Sequence, residues 1–454
     1  MVGVWSEYSM LMRSVSGIRG VVGVDLTPEV VARSAAAFGT ALKGGPVVVA
    51  RDTRPTGPLI AEAAISGLLS VGCDVIDIGI APTPTIPLAV TQLRAAGGMA
   101  ITASHNPIEW NALKFLGSSR KLLSPAMIDG IYRLADSGPI RYQPWDKIGQ
   151  RSHNDDMIDM HIDRILRLAP VDARAIARRK LNVAYDAGGG AGARYCTALL
   201  RRLGCRVQEI HCTVGKRFPR GPEPVPGNLR HLCAAVRRSK ADIGFATDPD
   251  SDRLAIVDER GRPIGEERTL ALATYRVMMR TPGPVVINLS TSRAVLDIAK
   301  AFGQRGYTSK VGEANVAEMM RAKKAVIGGE GNGGVIMPEL HYGRDALLGI
   351  ALVLSLVATQ RDSVSGISQA LPTYFAAKTK IPRPNDLTRR LKLLATYYIQ
   401  GRVDDRDGIK IEFDDGSIHA RPSNTEPIMR ISAEAGTQRR ANGLLAEALK
   451  VMKV

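Results

Sequence analysis

Short runs of small apolar residues alternate with longer stretches of helical periodicity along most of the chain. The first part shows this clearly, with predicted strands at 46–50 and 74–80 and predicted helices at 58–71 and 86–96. Strands separated by helices favour an α/β sheet whose strands are mainly parallel. Ligands bind such sheets at the carboxyl ends of the strands, so functional residues are expected in the loops that follow them.

The alternation returns in the middle of the chain and stops near its end. Predicted strands of small apolar residues run into loops of unusual composition at Ser104, Asp248 and Glu330. This indicates a structural repeat of α/β units, each with one loop directed toward a shared cleft. From about residue 379 the pattern changes to short strands separated by turns, which predicts a C-terminal part of different architecture.

Composition and charge narrow the class of protein. The chain has 454 residues, 45% of them hydrophobic and 23% charged, which is ordinary for a globular protein with sizeable cores. Its net charge of +17 attracts anions such as nucleic acid, membrane lipid or phosphorylated metabolites. Aromatic residues make up only 5% of the chain, too few for obvious base-stacking platforms. We therefore expect an arginine-rich solvated surface and no nucleic-acid partner.

Cysteine usage and hydropathy bear on the cell compartment. The five cysteines form no C-x-x-C pair, and residues 1–19 lack the basic start and apolar block of a signal peptide. No apolar run approaches the length that spans a bilayer. We expect reduced thiols, a cytoplasmic location and no membrane partner.

The loop at Ser104 has the first candidate nucleophile. Ser104 follows a predicted buried strand and lies in a turn closed by Asn106 and Pro107. A hydroxyl held rigidly at this place suits a serine that is phosphorylated and then gives the group away, although an ordinary strand-to-loop exit has the same pattern. Lys114 follows in a short apolar segment, where partial burial lowers a lysine pKa and lets the amine exchange protons. A surface lysine is the alternative.

The loop after the strand at 242–247 has carboxylates at alternate positions, Asp248, Asp250 and Asp252. Side chains at alternate positions of an extended segment point to one side, so this negative charge needs a cation, and hard oxygen ligands suit Mg²⁺. A calcium loop of the EF-hand type is excluded, because Arg253 occupies its required glycine position and 254–257 is a predicted strand.

Three further loops are rich in glycine or in hydrogen-bond donors. Glycines flank Arg19, which could present its guanidinium to a phosphate. Residues 329–334 match G-x-G-x-x-G but lead into an apolar strand, which favours a flexible ligand loop whose Glu330 and Asn332 contact sugar hydroxyls. The loop 421–427 has the composition of a phosphate clamp, whereas the glycines at 188–192 indicate tight strand-to-helix packing.

Four motifs together resemble the α-D-phosphohexomutase superfamily, which includes phosphoglucomutase, phosphomannomutase and phosphoglucosamine mutase. The motifs are Thr102-Ala103-Ser104-His105-Asn106-Pro107, Asp248-Pro249-Asp250-Ser251-Asp252-Arg253, Gly329-Glu330-Gly331-Asn332-Gly333-Gly334 and Arg421-Pro422-Ser423-Asn424-Thr425-Glu426-Pro427. The resemblance covers essentially the whole chain. It implies an α/β fold with three similar mixed α/β domains and a C-terminal α+β domain around a central cleft. The expected domains are 1–150 with the phosphoserine loop, 151–268 with the metal loop, 269–372 with the sugar loop and 373–454 with the phosphate loop.

The resemblance also implies roles for single residues. Ser104 is the phosphoserine, and it completes a Mg²⁺ site with the three aspartates. Arg19 and Arg253 lie near the transferring phosphoryl group, and Lys114 is a general acid or base. The implied substrate-binding residues are His105, Lys310, Gly312, Glu330, Asn332, Arg421, Ser423, Asn424 and Thr425. The expected reaction interconverts hexose 6-phosphate and hexose 1-phosphate through a hexose 1,6-bisphosphate, which also activates the enzyme, in a monomer or homodimer.

Two positions depart from the family's pattern. Gly334 stands where many relatives have a histidine, and Asn424 where many glucosamine-type relatives have glycine. The first departure leaves Lys114 as the expected proton carrier, with its pKa lowered by nearby positive charge, and His341 as a residue that could swing into the cleft. The segment 110–114 favours phosphoglucosamine mutase. Phosphomannomutase/phosphoglucomutase is the alternative, and a non-catalytic anion-binding protein is a remote one.

Overall fold

The structure is a computed structural model that describes residues 11–15, 17–118, 123–215, 217–423 and 428–453. It contains four β-sheets in chain order, each with helices packed against it. The predicted fold class is confirmed: three α/β units precede a C-terminal α+β unit.

The first unit has a mixed sheet with the strand order β1-β2-β6-β5-β3-β4-β7. Strands β3, β4, β5 and β7 run parallel, whereas β1, β2 and β6 pair antiparallel. Its elements are β1 Met12–Ser14, β2 Gly17–Val21, α1 Pro28–Ala41, β3 Val47–Arg51, α2 Gly57–Ser70, β4 Val75–Ile80, α3 Thr85–Gln92, β5 Gly97–Ile101, β6 Trp110–Leu116, α4 Pro125–Asp136 and β7 Arg151–His153, with a 3₁₀ helix at Trp145–Lys147.

The second and third units have smaller sheets with related strand orders, β11-β10-β8-β9 and β13-β12-β14-β15. The second unit consists of α5 Met157–Leu166, α6 Ala173–Arg179, β8 Asn182–Asp186, α7 Gly192–Arg202, β9 Arg206–Ile210, a 3₁₀ helix at Pro226–Asn228, α8 Arg230–Ser239, β10 Ile243–Thr247 and β11 Leu254–Val257. The third consists of α9 Glu266–Met278, β12 Val285–Asn288, α10 Ala294–Ala301, β13 Gly306–Ser309, α11 Glu313–Lys323, β14 Ile327–Glu330, β15 Gly334–Ile336, α12 Ala346–Gln360 and α13 Val364–Ala370.

The C-terminal unit has an antiparallel sheet with the order β16-β20-β19-β18-β17. Its elements are β16 Phe375–Pro382, α14 Leu387–Tyr397, β17 Arg402–Asp404, β18 Ile409–Phe413, β19 Gly416–Pro422, β20 Ile428–Ala435 and α15 Gln438–Val451. It packs a core of its own. A large apolar core that contains α12 along nearly its whole length extends through the first three units, and the first unit has a second core of its own.

The apolar composition of helix α12 is explained by its burial inside the protein. In the described part of the chain no single helix is long and apolar enough to cross a membrane. Helices α12 and α13 pass that test only as a pair, and they are bent by 90° at their junction.

Each of the three α/β units presents one functional loop in the same way. A parallel strand ends in the loop, and the chain returns on an antiparallel neighbour: β5 to β6, β10 to β11, and β14 to β15. The carboxyl ends of β5 and β10 meet, because the hydroxyl of Ser104 contacts the carboxylate of Asp248 at 2.8 Å. This repeated arrangement brings the first two loops, which are far apart in sequence, into contact.

Candidate active site

Ser104 lies in a strained and almost fully buried turn. Its φ is 49°, in the left-handed region that a residue with a side chain rarely adopts. Its backbone N–H donates to Thr102 Oγ1 at 2.9 Å, and its hydroxyl donates to Asp248 Oδ2 at 2.8 Å and lies 3.3 Å from His105 Nδ1. Backbone strain of this kind persists where the surroundings hold it, and here it fixes the hydroxyl against the carboxylate cluster.

Arg54, which the sequence did not single out, holds this turn in place. Its side chain is fully buried, and each of its N–H groups has a partner. Nε donates to the Asp52 carboxylate at 3.1 Å, and the terminal nitrogens donate to the carbonyl oxygens of Ser104, Asn106, Pro107 and Trp110. The planar guanidinium thus satisfies backbone carbonyls that the turn would otherwise bury without partners.

We expect Arg54→Met to lower the free energy of unfolding by about 3–5 kcal/mol, the usual cost of leaving a buried charge unpaired. The Asp52 carboxylate would lose its charged partner and keep the hydroxyl of Thr102 and the backbone N–H of residue 54 as donors, and the carbonyl of Ser104 would lose the guanidinium. Chemical denaturation measures the loss. Arg51→Met is the matched control, since Arg51 is only half-buried and donates one bond to the Asp52 carbonyl. Equal losses in the two variants would contradict the role of Arg54.

The aspartates of the second loop form a compact cluster. Asp248, Asp250 and Asp252 are buried, and each offers a carboxylate oxygen within 4.8 Å of the other two. Asp248 Oδ1 accepts from the backbone N–H groups of Asp252 and Arg253, so the loop wraps around this carboxylate. Oδ1 of Asp250 and Oδ1 of Asp252 are buried and accept no hydrogen bond from any residue that the structure describes. Buried, unpartnered hard oxygen atoms at this spacing fit a divalent cation such as Mg²⁺.

The charges around the cluster set its protonation. Burial raises the pKa of Asp248 well above its usual value, and the neighbouring carboxylates of Asp252 and Asp250 add to this. Burial has the largest single effect on Asp250 and acts to raise its pKa. The ammonium group of Lys114, 2.6 Å from Asp250 Oδ2, and the hydrogen bonds that Asp250 makes together lower that pKa. Thr83 donates to the same oxygen at 2.9 Å. A bound cation would remove the repulsion between Asp248 and the neighbouring carboxylates.

The expectation that Lys114 has a lowered pKa is wrong for this structure. Burial does lower it, but the carboxylates of Asp250 and Asp252 have the larger combined effect, so the pKa of Lys114 is raised. The effect of Arg19, which the sequence suggested, is smaller. Lys114 is therefore a charged residue that is ion-paired within the cluster.

Cationic side chains lie near the Ser104 loop. Arg19 donates to Asn106 Oδ1 at 2.6 Å, and its pKa is lowered mainly by burial. Arg253 donates to Glu223 Oε1 at 2.6 Å, and its Nε is buried with no hydrogen-bond partner in the described part of the chain. Burial and then the charges of Arg253 and Arg19 lower the pKa of His105 to about 2, so its imidazole is neutral. The guanidinium groups of Arg19 and Arg253 can neutralise the negative charge of a phosphoryl group.

The third loop is a packed hairpin turn and not the flexible loop expected from its glycines. An added Cβ at Gly331 would lie 2.0 Å from the carboxylate of Glu267, and one at Gly333 would lie 2.4 Å from the carbonyl of Leu254. The glycines thus allow close packing. Glu330 Oε1 accepts from Asn288 Nδ2 at 2.8 Å and from the N–H of Gly312 at 3.1 Å. Asn332 Oδ1 is buried and has no hydrogen-bond partner among the described residues, which is unusual for a buried polar atom.

His341 cannot take the role of a mobile base. It is 1% exposed, and its Nδ1 accepts from the N–H of Gly343 at 2.9 Å. Its Nε2 lies 3.0 Å from Asp345 Oδ2, an oxygen it shares with His161 Nε2 at 2.9 Å. Both ring nitrogens are therefore engaged in a buried network, and swinging the ring into the cleft would break it.

The C-terminal loop is described only in part. Arg421 Nε donates to Asp407 Oδ2 at 3.1 Å, and the same oxygen accepts from the N–H of Val311 at 2.9 Å. Asp407 thereby links the predicted phosphate loop to the segment of the third unit that contains Lys310 and Gly312. Lys310 is exposed, and Ser423 is buried. Asn424 and Thr425 lie outside the described residues.

Arg344 is another functional candidate that the sequence did not reveal. Its guanidinium lies between the metal loop and the sugar loop, with Nη2 2.6 Å from Asp252 Oδ2 and Nη1 3.2 Å from Glu330 Oε2. The residue precedes helix α12, far from either motif in sequence, and no local pattern marks it.

Comparison with known families matches almost the whole chain. Models of the phosphoglucomutase/phosphomannomutase α/β/α domains I, II and III match residues 11–139, 159–261 and 265–375, and the model of the C-terminal domain matches residues 377–451.

Individual relatives agree with the family models. The chain is 36% identical to a Methanopyrus kandleri protein named "Probable phosphoglucosamine mutase" and 37% identical to a Thermococcus kodakarensis protein named "Phosphoglucomutase/phosphomannomutase". Both alignments cover 96% of this chain and 97% of the relative. Among solved structures, a phosphoglucomutase/phosphomannomutase family protein from Burkholderia thailandensis superposes with a TM-score of 0.84 at 29% identity, covering 97% of each chain.

Proposed function

Because the chain belongs to the phosphoglucomutase/phosphomannomutase family and is a phosphohexomutase, we propose that it interconverts hexose 6-phosphate and hexose 1-phosphate through a phosphoserine at Ser104, with glucosamine phosphate as its preferred substrate. One contact carries the proposed chemistry: the Ser104 hydroxyl donates to Asp248 Oδ2 at 2.8 Å, within the carboxylate cluster. A phosphoryl group on this oxygen would lie beside both the proposed metal ligands and the cationic side chains.

In the first half-reaction a sugar hydroxyl oxygen attacks the phosphorus of phosphoserine 104. The bond from phosphorus to Ser104 Oγ breaks as the new bond to the sugar forms, and the hydroxyl proton is passed on to Oγ. This gives a hexose 1,6-bisphosphate and free serine. The bisphosphate reorients in the cleft, and its other phosphoryl group is transferred to Ser104. Added hexose 1,6-bisphosphate acts as an activator by phosphorylating enzyme molecules in which Ser104 is unphosphorylated. Each transfer is mainly a matter of positioning and charge neutralisation.

The proposed metal ligands are Asp248, Asp250 and Asp252, together with the phosphoserine. Bound there, Mg²⁺ would neutralise charge on the transferring group. The protein's own contribution is to hold the carboxylates in place, through the backbone N–H groups of Asp252 and Arg253 on Asp248 and through Lys114 and Thr83 on Asp250. Arg19, Arg253 and His105 add donors around the phosphoryl group.

We propose that the sugar and its second phosphate bind on the opposite side of the cleft. Glu330 and Asn332 are suited to sugar hydroxyls, because a carboxylate accepts and an amide both accepts and donates hydrogen bonds. Arg421 and Ser423, with Asn424 and Thr425, are proposed to hold the phosphate that does not react, with Lys310 and Gly312 nearby. Generic donors suit this task, since the loop must bind a 1-phosphate and a 6-phosphate in turn.

The names of the relatives support two different candidate substrates. The segment 110–114 and the Methanopyrus relative favour phosphoglucosamine, whereas the Thermococcus relative at 37% identity supports phosphomannomutase/phosphoglucomutase as the second candidate. Coupled assays with the phosphates of glucosamine, glucose and mannose, each with its 1,6-bisphosphate, decide between them. We expect the highest kcat/KM with glucosamine phosphate. A higher value with glucose or mannose phosphate would establish the second candidate, and binding without turnover would indicate an anion-binding protein.

Lys114 is the proposed proton carrier between the sugar hydroxyl and Ser104 Oγ. Its raised pKa means that it rests protonated, ready to donate to Oγ as the phosphoryl group leaves. We expect Lys114→Ala to lower kcat by about 10²-fold or more, the low end for general acid–base catalysis. His341→Ala should lower stability instead, since it opens a buried network. If His341→Ala, measured at saturating substrate on phosphorylated enzyme, cost more kcat than Lys114→Ala, this assignment would be wrong.

A further inference from the structure

We propose that Arg344 is a positioning residue that fixes the sugar loop relative to the carboxylate cluster, and that residue 334 must be glycine because the side chain of Arg344 occupies its space. This inference rests on the proposed function only in that the proposed function identifies the ligands that bind at the carboxylate cluster and at the sugar loop. The contacts of Arg344 itself are independent of it.

The guanidinium of Arg344 joins carboxylates from three separate parts of the chain. Nη2 donates to Asp252 Oδ2 at 2.6 Å, Nε donates to Glu313 Oε2 at 2.8 Å, and Nη1 lies 3.2 Å from Glu330 Oε2. Asp252 belongs to the second unit, Glu313 begins α11, and Glu330 ends β14. A planar fork with donors in several fixed directions can serve all three at once, which a lysine ammonium on a flexible chain cannot.

The contact with Asp252 leaves the second oxygen of that carboxylate available. With Asp252 Oδ2 held by Arg344, Asp252 Oδ1 is buried and has no hydrogen-bond partner among the described residues. Glu330 Oε2 is held in the same way, and its Oε1 is fixed by Asn288 and by the N–H of Gly312. Arg344 therefore holds one oxygen of each carboxylate in a fixed direction. Together with the N–H of Leu254, which donates to the carbonyl of Gly333 at 3.1 Å, it sets how the sugar loop lies against the cluster.

The sugar loop itself has a glycine where Arg344 passes. A Cβ at Gly334 would lie 2.2 Å from Cδ and 2.8 Å from Cγ of Arg344. The backbone of Gly334 is not in the left-handed region, so its conformation would admit any side chain. What excludes one is the aliphatic stem of Arg344. Gly334 also pairs directly with Glu330 across the hairpin, so a displaced arginine would lose its contact with that carboxylate.

The main chain at Arg344 is anchored firmly enough for such a role. The next residue, Asp345, is fully buried, accepts from His161 and His341, and caps helix α12 by accepting from the N–H groups of Leu347 and Leu348. The N–H of Asp345 donates to the carbonyl of Val335, in the strand that follows the sugar loop. Arg344 thus projects from a fixed point next to the loop that it holds.

A double-mutant cycle tests the two parts of the inference together. We expect Arg344→Ala to raise the KM for the sugar phosphate roughly 10–100-fold, by analogy with the loss seen when a side chain that orients a metal ligand is removed. The change in kcat should be smaller. Gly334→Ala should cause the same defect by displacing Arg344, and the double variant should be no worse than Arg344→Ala alone. Additive losses would show that Gly334 is required for another reason and would overturn the inference.

Two further variants separate positioning from charge and from folding. Arg344→Lys keeps the charge but not the fork and should not restore the KM, whereas a wild-type KM in this variant would overturn the positioning role. Arg361→Ala, at the exposed far end of α12, is the matched control.

Hydrogen exchange of backbone amides in 330–336 gives a readout that needs no turnover. Protection should fall in Arg344→Ala, Arg344→Lys and Gly334→Ala but not in Arg361→Ala. Unchanged exchange would refute the inference even if the wild-type protein converted no hexose phosphate, an outcome that would by itself refute only the proposed function.

Discussion

Ser104→Ala is expected to abolish mutase activity, with a loss on the order of 10⁴-fold or more, because the residue is proposed to form the covalent intermediate and no other group can replace it. Ser104 is 3% exposed, its hydroxyl contacts Asp248 at 2.8 Å, and its backbone is strained. A phosphoryl group transferred to water instead would be lost from the cycle. Added hexose 1,6-bisphosphate should not rescue the variant, since it has no oxygen at which to deposit the group.

Mass spectrometry of the tryptic peptide that contains Ser104 is a second test of the phosphoserine mechanism. Wild-type protein as purified should carry phosphate on Ser104, and the fraction should rise after incubation with a hexose 1,6-bisphosphate. Ser239→Ala is a suitable control, since Ser239 is an exposed serine at the end of α8 that only donates within its own helix. Full activity of Ser104→Ala in the presence of bisphosphate would refute the phosphoserine mechanism.

The sequence predicted the repeated α/β units and the loops that face the cleft because both leave local patterns. A buried strand followed by a charged or glycine-rich turn is visible within ten residues, as at Ser104 and Asp248. The strands are less uniformly parallel than the pattern suggested. Each functional loop returns on an antiparallel strand, which hydrophobic periodicity cannot distinguish from a parallel one.

The residues that hold these loops in place could not be predicted in the same way. Arg54 contacts the Ser104 turn from 50 positions away, and Arg344 reaches Asp252 from 92 positions away. Contacts of this kind depend on tertiary packing and leave no local spacing. The predicted direction of the pKa shift at Lys114 was wrong for the same reason. The shift depends on the carboxylates of Asp250 and Asp252 lying close to the amine, and the sequence does not show this distance.

The second large effect concerns the carboxylate cluster, where Asp250→Asn is expected to weaken Mg²⁺ binding by about 10²-fold or more. Two unit charges 4 Å apart interact by about 4 kcal/mol at an effective dielectric constant of 20, and the divalent ion doubles this. Part of that gain is offset, because removing Asp250 also relieves repulsion with Asp248 and leaves Lys114 without its partner. Turnover should fall with metal affinity, and an excess of chelator should abolish it in the wild-type protein.

Thermal unfolding separates metal binding from catalysis in this prediction. A ligand present at 100 times its dissociation constant stabilises the folded state by about 2.7 kcal/mol, so Mg²⁺ should raise the Tm of the wild-type protein and not that of Asp250→Asn. Asp258→Asn is the matched control, since Asp258 is a buried aspartate of the same unit whose carboxylate accepts from the backbone N–H groups of Arg260 and Arg262 in its own turn. Asp258→Asn should lose stability but keep the Mg²⁺ shift. Undiminished turnover in excess chelator, or an equal Mg²⁺ shift in Asp250→Asn, would show that these buried carboxylates are balanced by Lys114 and Arg344 alone and hold no ion.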